Sequence, residues 1–239
     1  MTLLKLDGVH TYIGQFHILQ GLNIEIVEDE VTCLLGRNGA GKTTTLKTIM
    51  GLLAPKSGAI SFAGEEIGGK PAYEVARKGI GYVPEDRGVF VDLTVEENLM
   101  LAERKKGELA ARKELILDLF PDLGRFWTQK GGRLSGGQQQ MLSMARAMVP
   151  ENRMLLVDEP SKGLAPIVIE HMAQAFNEMK KHTTIVLVEQ NFWLASKTGD
   201  HYYILDDGLV AAQGSMADLV KDEKLQATFL GVSGKGRAV

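Results

Sequence analysis

One stretch, Gly36-Arg-Asn-Gly-Ala-Gly-Lys-Thr-Thr44, limits what this chain can fold into more than any other. It fits the pattern G-x-x-x-x-G-K-[ST], in which a glycine-rich turn aims successive backbone N–H groups at a phosphate chain. Such a turn must join a buried strand to a helix. Val31–Leu35 is a short, apolar, partly β-branched run that reads as the strand, and Lys42–Met50 reads as the helix. The helix N-terminus adds partial positive charge where phosphates would lie. The pattern therefore arranges Gly36, Asn38, Gly39, Ala40, Gly41, Lys42, Thr43 and Thr44 around a nucleotide. Lys42 reaches the β- and γ-phosphates, and the Thr43 hydroxyl is an expected Mg²⁺ ligand. The bland alternative is a glycine-rich turn without a ligand. All four specified positions are filled in the right setting, which argues against it.

A phosphate loop needs carboxylates to handle metal and water. Met154–Val157 is an apolar strand that runs into Asp158-Glu159-Pro160. One carboxylate holds Mg²⁺, directly or through water, and the other orients or deprotonates the attacking water. The competing reading is a solvated acidic turn. Thr184–Val188 is a further buried strand, and it delivers Glu189-Gln190-Asn191 at its C-terminal end, where open α/β sheets collect their ligands.

The remaining elements follow from periodicity. Leu3–Val9 and Leu22–Val27 read as strands, with Tyr12 and Gly14 between them. Tyr12 either stacks on a base or packs at a sheet edge; its position alone allows both. Ala59–Phe62 and Ile80–Val83 are strands, the latter ending at Pro84-Glu85. Thr94-Val-Glu-Glu97 is a capping box that opens a helix expected to reach about Lys105, and Glu108–Phe120 is a second helix stopped by Pro121. Ser135 is an N-cap for a helical run to Met148, and Gly136-Gly137 allow close approach of another backbone or a ligand. This is either a plain helix start or a second phosphate-binding helix end. Pro166–Lys181 is a helix, His201–Leu205 and Leu209–Gln213 form a hairpin across Asp206-Asp-Gly208, and Ser215 caps a last helix. The tail from Ser233 to Val239 reads as frayed.

Composition enters as exclusion. The net charge of −3 offers no basic face for a non-specific nucleic-acid grip. A lone cysteine, Cys33, forbids an internal disulfide and lies inside an apolar run, so it reads as a small buried hydrophobe. The five histidines show no metal-ligand spacing. No run is long and apolar enough for a membrane span, and Met1–Asp7 lacks the basic-then-apolar plan of a signal peptide. The expectation is a cytosolic protein, or one attached to a membrane through another chain.

The order of these pieces resembles the ATP-binding subunit of ABC transporters along almost the whole chain. Gly36–Thr44 is similar to the Walker A loop, Leu134-Ser-Gly-Gly-Gln138 to the signature motif, and Met154–Glu159 to Walker B. Tyr12 falls where that family places its adenine-stacking aromatic. A finer resemblance is to one subunit type of branched-chain amino-acid uptake systems. It is carried by Tyr82-Val-Pro-Glu-Asp-Arg87, Leu93–Leu99, Glu159–Pro166, Leu187-Val-Glu-Gln-Asn191 and Phe229-Leu-Gly231. Urea, amide and aromatic-acid importers carry similar stretches and remain an alternative.

The resemblance implies an α/β P-loop core with an antiparallel N-terminal sheet. Residues 1–84 and 149–239 would form the nucleotide-binding core, and an inserted helical lobe, 85–148, would carry the signature. It implies an ATPase using ATP and Mg²⁺, peripheral to the cytoplasmic face of the inner membrane. Its partners would be permease subunits, a second ATPase subunit that differs in sequence, and indirectly a solute-binding protein, with no nucleic acid. The permease groove is expected near Glu85–Asn98, because that stretch bridges core and lobe. Glu159 would be the catalytic base, Lys42 would stabilise transferred charge and Gln190 would stand in for the family's switch histidine. Thr43, Asp158 and Glu85 would lie at the metal, while Ser135, Gly136, Gly137 and Gln138 would reach the partner's nucleotide in trans. Glu85, Ala165 and Gln190 depart from the general family pattern, which leaves a poorly hydrolysing regulatory module as the competing reading.

Overall fold

The computed structural model describes residues 1–231, so the tail from Ser233 lies outside the described residues. Two sheets stack around the phosphate loop. The first is antiparallel, in the order β2-β1-β4-β5, from β1 (Thr2–Ile13), β2 (Phe16–Val27), β4 (Ser57–Phe62) and β5 (Glu65–Glu66). The second runs β10-β9-β3-β8-β7-β6. Its strands are β3 (Val31–Leu35), β6 (Ile80–Val83), β7 (Met154–Asp158), β8 (Thr184–Val188), β9 (His201–Asp206) and β10 (Leu209–Ser215). All pairs in it are parallel except the β9–β10 hairpin.

The central parallel strands β3, β7 and β8 are buried at every residue because both faces are covered. Val31, Cys33, Leu35, Leu155, Val157, Ile185 and Leu187 face one apolar cluster. Leu34, Met154, Leu156, Val186 and Val188 face the other, which also takes in β1, β2 and the helix after the phosphate loop, α1 (Lys42–Ile49). Cys33 is fully buried, and burial pushes its thiol far above the ordinary value, so it is an inert packing residue.

After α1 come α2 (Ala72–Arg77) and then four helices between β6 and β7: α3 (Val95–Met100), α4 (Glu108–Leu119), α5 (Pro121–Arg125) and α6 (Gly136–Met148). A 3-10 turn at Gly131–Arg133 precedes α6. Apolar residues of this stretch, among them Leu99, Ile116, Phe120, Leu123 and Leu142, join the cluster on the outer face of the parallel sheet. Helices α7 (Pro166–Met179) and α8 (Phe192–Thr198) complete that face.

Three expectations need correction. Strands β1 and β2 extend well past Val9 and before Leu22, because the two halves of the hairpin keep pairing to its tip at Ile13 and Phe16. Helix α3 ends at Met100, not near Lys105. The Glu103 carboxylate there accepts from the backbone N–H groups of Gly107 and Leu109, and Glu108 accepts from those of Arg104 and Lys105. The segment is thus held as a lead-in to α4, not as a continuation of α3. Ser215 caps α9 (Met216–Leu219), but this helix is not the last: α10 (Glu223–Leu225) and a π-helical turn at Gln226–Leu230 follow. No helix among the described residues is long and apolar enough to cross a membrane.

Candidate nucleotide site

Strands β3, β8, β7 and β6 lie side by side and parallel, so their C-terminal ends share one edge of the sheet. That edge receives, in this order, the glycine loop after β3, Glu189-Gln190 after β8, Asp158-Glu159 from β7 and Glu85 after β6. Segments far apart in the chain meet because of strand order alone.

The loop conformation needs its glycines. Gly36 and Gly41 have φ of 139° and 101°. A Cβ on Gly36 would lie 2.2 Å from the Leu205 carbonyl oxygen, so no side chain fits there, and one on Gly41 would strain the left-handed backbone and push the Leu19 side chain, 2.9 Å away. Lys42 turns back into the loop. Its Nζ donates to the carbonyl oxygens of Gly36 and Arg37 at 2.9 and 3.0 Å and lies 3.6 Å from Glu159 Oε1. Burial lowers the Lys42 pKa, and the Glu159 carboxylate opposes that shift.

Asp158 is fully buried at the end of β7. The Thr43 hydroxyl donates to its Oδ1 at 3.0 Å and the Tyr82 hydroxyl to its Oδ2 at 3.3 Å. Burial raises the Asp158 pKa, the two hydroxyls pull it down, and the charges of Glu159 and Glu85 raise it again. Glu159 has φ of 44°, a left-handed conformation that a non-glycine residue holds only when its surroundings fix it. Its N–H donates to the Val188 carbonyl at 2.9 Å, while its side chain meets Lys42 and Gln190. Gln190 Nε2 reaches both Glu159 Oε1 and Asn38 Oδ1 at 2.6 Å, joining the carboxylate to the glycine loop.

A cavity of about 260 Å³ lies over this set, lined by Ile18, Asn38, Gly39, Gly41, Lys42, Thr43, Thr44, Glu85, Glu159 and Lys162. A second space of about 420 Å³ beside it is bounded by Thr43, Lys47, Tyr82, Pro84, Glu85, Asp86 and Asp158. Glu85 touches both, and its carboxylate forms an ion pair with Lys162. Gly36 and Ala40 belong to the loop but do not line the cavity; the Ala40 Cβ is 3.3 Å from where a Gly36 Cβ would be.

Ser135, Gly136, Gly137 and Gln138 do not line this cavity. Ser135 and Gln138 cap α6 reciprocally: Gln138 N–H donates to Ser135 Oγ at 3.3 Å, and Ser135 N–H donates to Gln138 Oε1 at 2.9 Å. Gly137 is also held by packing, since a Cβ there would meet Val168 at 2.8 Å; one on Gly136 would come within 3.2 Å of the Arg87 guanidinium, the mobile end of that side chain. Tyr12 is 41% exposed on the β1–β2 hairpin.

Two supports escaped sequence reasoning. Tyr82, on β6, closes the second oxygen of Asp158. Glu189, 1% exposed, accepts from the Ser161 N–H and hydroxyl at 3.0 and 2.8 Å and from the Gln190 and Asn191 N–H groups at 3.1 Å. It thereby pins the turn after Glu159 to the turn carrying Gln190. A glutamate directly after a fully buried, β-branched strand was the available signal.

A parallel sheet with a glycine loop, an invading lysine and two carboxylates at its C-terminal edge defines a P-loop nucleotide-binding protein of the α/β class. The ABC transporter family profile matches residues 19–162, more than half of the chain, and the chain belongs to that family. It is 39% identical to the high-affinity branched-chain amino acid transport ATP-binding protein of Pseudomonas aeruginosa, over 96% of this chain and 100% of that protein. Its fold is similar to the crystal structure of a nucleotide-free ATP-binding cassette from an ABC transporter, with a TM-score of 0.83, 26% identity and coverage of 94% and 97% of the two chains. It is also similar to a dimeric ATP-binding cassette in a post-hydrolysis state bound to ADP and phosphate, with a TM-score of 0.78, 27% identity and coverage of 90% and 99%.

Proposed function

We propose that this chain is the ATP-hydrolysing subunit of an ABC importer that takes up branched-chain or related amino acids, working at the cytoplasmic face of the inner membrane. The observation that carries the catalytic part is the Glu159 carboxylate, held between Lys42 and Gln190 beside the buried Asp158–Thr43 pair. The solute class rests on the likeness to the Pseudomonas transport protein over the length of both chains.

In this reading the N–H groups of the loop and Lys42 hold the phosphates, and Tyr12 stacks on the adenine. The hydroxyl of Thr43 and the carboxylate of Asp158 form a hard-oxygen pair suited to Mg²⁺. A Mg²⁺ ion held by this pair would supply charge neutralisation at the phosphates. Glu159 accepts the proton of the attacking water, and Gln190 fixes both the carboxylate and the water. Glu85, paired with Lys162 in this structure, would add a further carboxylate to the metal surroundings once that pair opened. Ser135, Gly136, Gly137 and Gln138 of a second ATPase subunit, identical or different, complete the site from the far side of the γ-phosphate.

The permease subunits fit a groove of about 410 Å³ that includes Tyr82, Pro84, Arg87, Gly88, Arg104 and Arg146 in its walls. Phe90, Val91, Met100 and Leu101 are exposed apolar side chains of the Glu85–Leu101 stretch that supplies part of these walls. A solute-binding protein would act through the permease. The test is uptake of labelled leucine by cells carrying the intact transporter or one lacking this chain, with crosslinkers placed at Phe90 and Met100. Loss of uptake and capture of a permease support the reading; unchanged uptake without capture contradicts it.

A further inference from the structure

The tip of the β1–β2 hairpin carries three rings in a row. The Tyr12 and His17 rings lie 4.2 Å apart between centroids and 3° from parallel, and His10 follows with its centroid 5.1 Å from that of His17. His10 Nδ1 and His17 Nε2 share a hydrogen bond at 3.0 Å. A register shift between Thr11 and Tyr12 brings Tyr12 opposite His17. The hairpin is also anchored to the phosphate loop. Thr48 of α1 donates to the Thr11 hydroxyl at 3.2 Å, and Leu19 lies against Gly41, where an added Cβ would be 2.9 Å away. Ile18, next to His17, lines the phosphate cavity.

We propose that His17, backed by His10, is a positioning residue for the nucleotide base: it clamps one face of the Tyr12 ring and leaves only the other face for a purine. This rests on the reading of Tyr12 as the base-stacking residue. An exposed tyrosine near a hairpin tip otherwise samples several rotamers, and binding a base would have to fix one of them. The parallel imidazole fixes it in advance, which lowers the ordering penalty of binding. Because His17 touches the tyrosine and the base would lie on the opposite face, its effect passes through Tyr12.

The experiment measures equilibrium binding of ATP and of inorganic tripolyphosphate, which has no base, to the wild type and to Tyr12→Ala, His17→Ala and His17→Phe. Thermal melts verify that each variant is folded. Loss of base stacking is expected to weaken ATP binding about tenfold in Tyr12→Ala, and His17→Ala should weaken it about threefold or more. His17→Phe, which keeps a flat ring beside Tyr12, should recover most of that loss, and tripolyphosphate binding should be the same in all four proteins. If Tyr12→Ala weakens ATP binding but His17→Ala does not, the clamp is overturned and the base-stacking reading survives. If Tyr12→Ala has no effect, the base-stacking reading itself fails and the clamp falls with it. If His17→Ala weakens tripolyphosphate as much as ATP, the residue supports the phosphate loop and the inference is wrong.

Discussion

Gln190 Nε2 stands 2.6 Å from Glu159 Oε1 while the same nitrogen reaches Asn38 Oδ1 at 2.6 Å. A neutral amide therefore bridges the Glu159 carboxylate and the phosphate loop. Gln190 donates there without carrying charge, so its contribution is geometric. Gln190→Ala should lower the rate of ATP hydrolysis by about tenfold or more while ATP binding changes little, since the phosphate loop is intact. Phosphate release together with nucleotide titration checks this, and a large loss of affinity at an unchanged rate would contradict it.

The glycine loop with the strand before it and the helix after it was readable because the phosphate pattern prescribes both flanking elements; the order of strands within the sheets was not. Thr43 Oγ1 lies 3.0 Å from Asp158 Oδ1, and Lys42 lies in the same loop. Other features depend on distant partners or on side chains diverted from their local roles. Lys162 and Glu85 are far apart in the chain, so nothing local announces their ion pair. Glu103 looked like the continuation of α3, yet its carboxylate serves the N–H groups of the next helix. Ser135 was visible as a cap, but nothing in the pattern announces that the Gln138 side chain returns to the Ser135 N–H.

Gly36 tests the steric argument for the loop. With φ at 139° and the Leu205 carbonyl 2.2 Å from an added Cβ, the backbone has to move to admit a methyl group. Gly36→Ala should destabilise the protein by about 2 kcal/mol or more, read as a lower urea midpoint. A midpoint equal to that of the wild type would show that the loop has room.

The buried Glu189 makes stability depend on pH. Burial holds its pKa above the ordinary 4.5, while the N–H and hydroxyl groups of residues 161, 190 and 191 pull it down. The folded state therefore takes up this proton at a higher pH than the unfolded chain does, and acidification favours folding at this site. Relative to Glu189→Gln, the wild type should be least stable at neutral pH. It should gain as the pH falls through the raised pKa towards 4.5, with no further change below. Urea unfolding across that range checks it; a pH-independent difference would contradict it.

Lys162 keeps Glu85 occupied at the rim of the phosphate cavity. Both partners are substantially solvent-exposed, so breaking the pair should hardly move the unfolding midpoint. Lys162→Ala should nonetheless reduce the Mg²⁺ concentration needed for half-maximal hydrolysis, because Glu85 then faces the Thr43–Asp158 space without a competing cation. An unchanged Mg²⁺ requirement would place Glu85 outside the metal's reach.

The central claim is that Glu159 removes the proton from the water that attacks ATP. Steady-state phosphate release by Glu159→Gln, measured with light scattering in the presence of Mg-ATP, tests it most directly. The account predicts turnover lower by about 10²-fold or more and a stable ATP-bound dimer. Hydrolysis near the wild-type rate would contradict it.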